Sequence, residues 1–258
     1  MPSVTQAGFA SELALPPPYQ AVRLREFGDA FAHAAMLAPQ RGAGTLVYVG
    51  RFDVAEFAVV LEPADPLVRA RRVIYAGMGA LADAIAAAAP PETAIHIKWP
   101  DALYVNWGLV GGGRLAWPEN TDEANVPAWL VFGATIRTAW TKRIDPGVTP
   151  ELTALGEEGF TEIDSKQIVE SFARNFMQAL DVWQESGFST AVRPYLERLA
   201  RERQQSCEID ENGDLMVRHE SGGTSERQVL LRQVLLRQVL LPKLTAPAWL
   251  DLVHKEPS

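Results

Sequence analysis

The chain has 258 residues, 47% hydrophobic and 22% charged, the balance of a soluble globular protein and not of a disordered, collagen-like or rod-forming one. A net charge of −8 argues against the basic footprint of a general nucleic-acid binder. One cysteine excludes an intrachain disulfide and fits a reducing, cytoplasmic compartment. Met1–Ala10 has neither the basic nor the apolar region of a signal peptide. No apolar run approaches the roughly 18 residues of a membrane span, so no membrane partner is expected.

Residues 1–19 read as a tail, because Pro16-Pro17-Pro18 cannot continue a helix and should lie extended. Residues 25–38 carry Phe27, Phe31, Ala34, Ala35 and Ala38 at helical spacing, with Pro39, Gly42 and Gly44 as the stop. Thr45–Val49 and Phe57–Leu61 read as strands joined through Gly50-Arg51-Phe52-Asp53. Val68–Ala89 reads as one long, largely buried helix ended by Pro90-Pro91. Ile95–Lys98, Leu103–Val105, Leu115–Trp117 and Trp129–Arg137 are strand candidates, the third preceded by Gly111-Gly112-Gly113. Strands arriving in pairs predict an α+β fold: a mixed, mostly antiparallel sheet with helices packed on it.

Ser165–Ser186 sets Ile168, Val169, Phe172, Phe176, Leu180 and Trp183 along one side of a helix, with Gly187 at its end. Thr190–Gln205 reads as a further helix. From Cys207 the texture changes, and Asn212-Gly213 between two short strand-like runs predicts a hairpin. The expected division is a tail at 1–19, a main domain at 20–205 and a small β-rich appendage at 206–258. Arg-Gln-Val-Leu-Leu occurs three times in tandem, at 227–231, 232–236 and 237–241. A period of five matches neither helix nor strand, so the repeat reads as a duplication tolerated at the surface. Deleting 232–241 is then expected to change stability by no more than about 1 kcal/mol.

The candidate chemistry is concentrated in one segment. Cys207 has no nearby histidine and reads as a bystander. His33, His96, His219 and His254 do not pair at metal-ligand spacing. Asp210, Asn212 and Asp214 lack the glycine and glutamate of a calcium loop. No Gly-Lys-Ser/Thr follows Gly111-Gly112-Gly113, so this is not a Walker loop. Lys98-Trp99-Pro100-Asp101 puts a cation, an aromatic face and a carboxylate at a strand end, a constellation suited to a small molecule.

This segment resembles the Lys-Trp-Pro-Asn-Asp motif of the biotin/lipoate protein ligase superfamily. Lys98, Trp99 and Pro100 match, Asp101 stands at the asparagine position and Ala102 at the aspartate position. Gly111 and Gly112 match the small pair that follows, Gly50-Arg51 a remnant of the arginine-rich loop, and Val131–Ile136 the Val-Ile-Gly-x-Gly-Ile strand. The resemblance covers roughly residues 20–220. It implies a class II synthetase or biotin ligase-like fold and ATP-dependent attachment of biotin or a lipoyl group to a protein lysine. It also implies ATP with Mg, a small carboxylic-acid ligand and a biotinyl or lipoyl acceptor domain. On this reading Lys98, Arg51 and Arg114 are the catalytic cations. Trp99, Asp101, Gly111, Gly112, Gly113, Gly133 and Arg137 contact the ligand.

The departures bear on the same residues. The family's essential lysine falls at Leu109, no lysine follows until Lys142, and Arg137 stands where asparagine is usual. A lost central cation removes stabilisation of the charged transition state, for which Arg114 or Arg137 could substitute as carboxylate or phosphate holders. The alternatives are a non-catalytic ligand- or partner-binding module and an octanoyl or lipoyl acyltransferase. Lys98→Ala should abolish ligand stabilisation, and Leu109→Lys should raise any adenylation.

Overall fold

The main sheet is assembled from seven strands: β1 (Gln20–Leu24), β2 (Thr45–Val49), β3 (Val54–Leu61), β4 (Ile95–Lys98), β5 (Ala102–Val105), β6 (Gly108–Ala116) and β7 (Leu130–Arg137). Their order is β1-β2-β3-β7-β6-β5-β4, with β1 parallel to β2 and every other pair antiparallel. This is the expected α+β architecture. The computed structural model describes residues 13–141, 151–161, 163–202, 205–220, 234–241 and 244–254. Residues 1–12 of the expected tail lie outside the described residues, as do the first Arg-Gln-Val-Leu-Leu copy and Lys142.

One sheet face is covered by α3 (Val73–Ala86) and α4 (Ser165–Ser186). Phe57, Leu115, Phe132 and Ile136 from the strands meet Ile74, Met78, Leu81, Phe172 and Phe176 from the helices. Burial of such side chains contributes about 1.5–3 kcal/mol each before entropy is counted. Only Asp83 and Ala86 of α3 escape full burial, and Asp83 pairs with Arg198 at 2.6 Å. Gly77 is where α3 comes closest to the sheet: a methyl group there would overlap the Phe132 ring. Gly77→Ala is therefore expected to cost about 1–3 kcal/mol, read as a lower urea midpoint. An unchanged midpoint would show that α3 shifts without penalty.

The opposite face is shared between two helices. α1 (Ala30–Arg41) lays Phe31, Ala34 and Ala38 on Val47, Val49, Ala58, Val60 and Val131. α7 (Ala248–His254) lays Trp249 and Val253 on Ala102 and Leu109.

Several boundaries differ from the sequence expectation for local reasons. β1 is an exposed edge strand with only Val22 and Leu24 turned partly inward, too little alternation to read from sequence. The first helix starts at Ala30, because the Asp29 carboxylate accepts the Ala32 N–H at 2.9 Å and caps it there. Pro39 lies inside its last turn, and Gly42 ends it at φ 71°. The expected helix 68–89 is broken into α2 (Leu67–Ala70) and α3. The break lets Arg71 reach Glu123 at 3.1 Å and Arg72 stack 4.4 Å from the Phe188 ring centroid. The glycine run belongs inside β6. Thr190–Gln205 is replaced by α5 (Phe188–Ala191) and α6 (Arg193–Arg198), with the next strand already beginning at Gln205.

That strand, β8 (Gln205–Ile209), pairs with β9 (Leu215–Glu220), and β9 with β10 (Val234–Val239). The hairpin turns at Gly213, whose φ is 88°. β10 carries much of the second and third repeat copies. Just after it, Leu241 is buried and its N–H is held by the Asp214 carboxylate at 2.8 Å. Deleting 232–241 removes this strand and this anchor, which overturns the expectation of a tolerated loss. The small sheet shares its core with the main one: Cys207, Leu215, Val217 and Leu241 join the same apolar cluster. The Tyr75 hydroxyl donates to the Gly213 carbonyl. Among the described residues no helix is long and apolar enough to cross a membrane.

Candidate ligand-binding face

The site follows from the two-residue alternation of β3, β6 and β7. Across the sheet, Ala102, Gly112, Thr135 and Glu56 stand in one row, and Arg114, Gly133 and Ala58 in the next. Arg137 lies opposite Val54 at the end of β7. Leu115, Phe132, Ala134 and Ile136 point to the α3 side. Their neighbours Arg114, Gly133, Thr135 and Arg137 therefore point to the face shared by α1 and α7. That face buries an unusual amount of polarity: Glu56, Asp53, Asp101, Arg114, Thr135 and Arg137 are all buried.

Most of these groups have partners. Arg51 grips Asp53 with two bonds, of 3.0 and 2.5 Å. Burial pushes the Asp53 carboxyl up, but the Arg51 hydrogen bonds and charge prevail and hold it below the usual carboxylate range. Glu56 accepts the Ala30 N–H at 2.9 Å, and burial raises its carboxyl. Arg137 lies 4.3 Å from the Trp140 ring centroid. The Arg114 guanidinium lies 4.0 Å from the Phe31 ring centroid and 3.4 Å from Asp29.

Two side chains of the strands on this face are incompletely served. Arg114 is 8% exposed and among the described residues its Nε has no hydrogen-bond partner. Thr135 is 1% exposed and its Oγ1 has none either. Leaving a buried polar atom unpaired costs about 1–3 kcal/mol. Such atoms in adjacent rows of one face are what a binding surface for a polar ligand leaves open.

The glycines sort by direction. The hollow over Gly133 is filled by Phe31, and the space over Gly112 by the Asp101 carbonyl and the Trp249 indole; a methyl on Gly112 would overlap the first and meet the second at 2.7 Å. Gly113 faces the other way, against Met78 and Phe132. Gly111 lies against the Thr135 carbonyl, at φ 153° and beside a register shift between Leu103 and Tyr104. Gly111 and Gly113 thus serve strand and helix packing and do not face the side of Arg114 and Thr135. Trp99 is also on the helix side, where its indole N–H donates to the Tyr75 hydroxyl at 3.2 Å. Lys98 is exposed at the sheet edge, its Nζ 6.0 Å from the Tyr104 ring centroid. Arg51, Arg114, Arg137, Asp101, Gly112 and Gly133 are brought to the one face. Thr135 and Glu56 were legible in principle from alternation with Arg137 and Ala58. Trp249 and His254 were not, because only the return of the chain after Leu244 puts them there.

Asp101 is buried, and among the described residues no cation pairs with it. Burial lifts its carboxyl to about 7, and the neighbouring Trp249 indole N–H pulls it back, although that N–H stops short of hydrogen-bond geometry. His254, at the other end of α7, has its imidazole pKa lowered by burial and then by Arg114, Arg137 and Arg51. The helix therefore runs from the Gly112 hollow towards the arginines.

The model of the biotin/lipoate A/B protein ligase family matches residues 15–197. The chain belongs to this family. It is 26% identical over 188 residues to the biotin–[acetyl-CoA-carboxylase] ligase of Paracoccus denitrificans, covering 67% of this chain and 75% of that protein. A biotin protein ligase-like protein of unknown function from Silicibacter sp. TM1040 superposes with a TM-score of 0.74 at 26% identity, over 92% of this chain and all of that one. The biotin protein ligase of Aquifex aeolicus in complex with biotin and ATP superposes at 0.59 and 14% identity, over 84% and 98% of the two chains, a likeness of fold. The family match ends at residue 197, so the small sheet and α7 lie beyond it.

Among the described residues no group of three His, Cys, Asp or Glu side chains is placed to hold a metal ion.

Proposed function

We propose that this face binds a biotin-like carboxylic acid and, with ATP, supports its activation for transfer to a lysine of a biotinyl or lipoyl acceptor domain. The observation that carries the reading is the buried, incompletely partnered pair Arg114 and Thr135, flanked by Arg137 and Arg51. A guanidinium binds a carboxylate through two parallel N–H bonds, and the Thr135 hydroxyl can donate or accept beside it. Arg137 and Arg51 supply positive charge for phosphate oxygens. Any Mg2+ would then ride on those phosphates and need few protein ligands. A single cysteine, buried at the small sheet, fits a cytoplasmic setting.

A second reading, ligand binding without chemistry, is favoured by Leu109. At the position the resemblance gives to the essential lysine, Leu109 is 2% exposed and packed against Trp249 and Val253. The acyltransferase alternative loses ground, since Cys207 sits in the other core with its thiol pKa raised by burial.

Thermal unfolding with biotin, lipoate and octanoate, each with and without Mg-ATP, tests the proposal. A ligand at 100 times its Kd stabilises by about 2.7 kcal/mol. Synergy with ATP supports activation, and a shift indifferent to ATP supports the binding module. Arg114→Ala is expected to abolish the shift, whereas Lys98→Ala, at the exposed edge, should keep most of it. The reverse order would return the site to the Lys-Trp-Pro segment.

A further inference from the structure

We infer that α7 is an intramolecular cover: docked as seen, it closes the ligand face over Gly112, and ligand binding requires it to lift. The inference rests on the ligand-binding reading above and concerns the regulation of that same site.

Four observations support it. First, the Trp249 indole lies over Gly112 beside the Asp101 carbonyl, and the two together leave no room there for a second molecule. Trp249 is 5% exposed. Second, Leu109 makes this contact possible. A lysine at that position would put an ammonium under Trp249 and Val253, whereas leucine joins them in a closed apolar cluster with Ala102. Third, the docked state is imperfect. The Trp249 Nε1, over Gly112, and the Thr135 Oγ1, opposite Gly112 in the sheet register, are both buried without hydrogen-bond partners among the described residues. Asp101 is buried beside the indole, with no cation paired to it among the described residues. A contact carrying such unpaired groups is held less tightly than its apolar area suggests. Fourth, the chain has an anchor next to the cover. The Leu244 carbonyl accepts the Leu115 N–H at 2.9 Å, and Leu244 is buried in the main core. Residues after it can leave the sheet while this end stays fixed.

α7 has a small interface. It is one short helix, held by Trp249 and Val253 with help from Leu250. A cover of this size can open without unfolding the sheet below it, in the manner of a local, sub-global opening. Its cost appears as reduced apparent affinity, because only the open fraction accepts ligand.

The test uses the full chain, with biotin, lipoate and octanoate as probes. Calorimetric titration of wild type and Trp249→Ala should show the variant binding the accepted acid about tenfold or more tightly. Binding seen only in the variant would be the extreme form of the same result. Equal or weaker binding by the variant overturns the cover and makes Trp249 a pocket wall or a core residue. Trp249→Ala could also loosen the fold, so a second measurement uses wild type alone. Hydrogen exchange of the amides of 248–254 should speed up when the acid is added. Unchanged or slower exchange overturns the cover. If neither protein binds any of the three acids, the ligand-binding reading itself falls and the cover with it. Binding without release of α7 sinks the cover alone.

Discussion

Asp101→Asn is expected to stabilise the protein by about 2–4 kcal/mol at pH 8 and by under about 1 kcal/mol at pH 4. The carboxyl is raised from an ordinary 3.8 to about 7, chiefly by burial. Between those values the folded protein keeps a proton that the unfolded chain gives up. Stability from this residue is therefore fully present below about pH 4 and lost as the pH rises through about 7. Roughly three pH units at 1.36 kcal/mol each set an upper bound of about 4 kcal/mol. Asparagine keeps the shape, never ionises and can accept from the Trp249 N–H. The resemblance places asparagine at this position. Urea unfolding of both proteins at the two pH values gives the answer. A gap of equal size at both would mean that the carboxyl is not proton-linked to folding.

This residue shows where the sequence could be read and where it could not. The Lys-Trp-Pro-Asp run was legible as a motif, and so were the strands before and after it. Each of those strands is short, with β-branched or apolar residues at every second position at least, and has proline or glycine near its ends. The α4 helix was legible to the residue, because the Asp164 and Gln167 capping box and Gly187 mark both ends. The direction of each motif side chain was not legible. Trp99 turns to Tyr75 on the helix side, while Asp101 lies buried beside Trp249. Gly112 and Gly113, adjacent in sequence, serve opposite faces. Pleating fixes these directions only once the strand boundaries and the register shift at Leu103/Tyr104 are known. The α7 cover over Gly112 had no local signal at all. Trp249 comes 137 positions after Gly112, and nothing in the period-five repeat before it announces a return to the main sheet.

Leu109→Lys is expected to lower stability by about 3–5 kcal/mol if α7 stays docked, the usual cost of an uncompensated buried charge. The position is 2% exposed, and the side chains that bury it, Trp249, Val253 and Ala102, offer the ammonium no acceptor; Tyr104 lies at the edge of the same cluster. If α7 lifts, the lysine reaches water and the loss shrinks to that of the helix contact. The double variant Leu109→Lys with Trp249→Ala separates these cases. With the cover already loosened, adding the lysine should cost at least about 1 kcal/mol less than it does in wild type, a coupling of the size expected for residues in contact. Full additivity would show that Leu109 and Trp249 do not share an equilibrium. The same pair bears on chemistry. Acid-dependent release of pyrophosphate from ATP should rise in the order wild type, Leu109→Lys, double variant, because the restored cation can act only where the face is open. A double variant that binds biotin and ATP but releases no more pyrophosphate than wild type would assign the face to recognition alone.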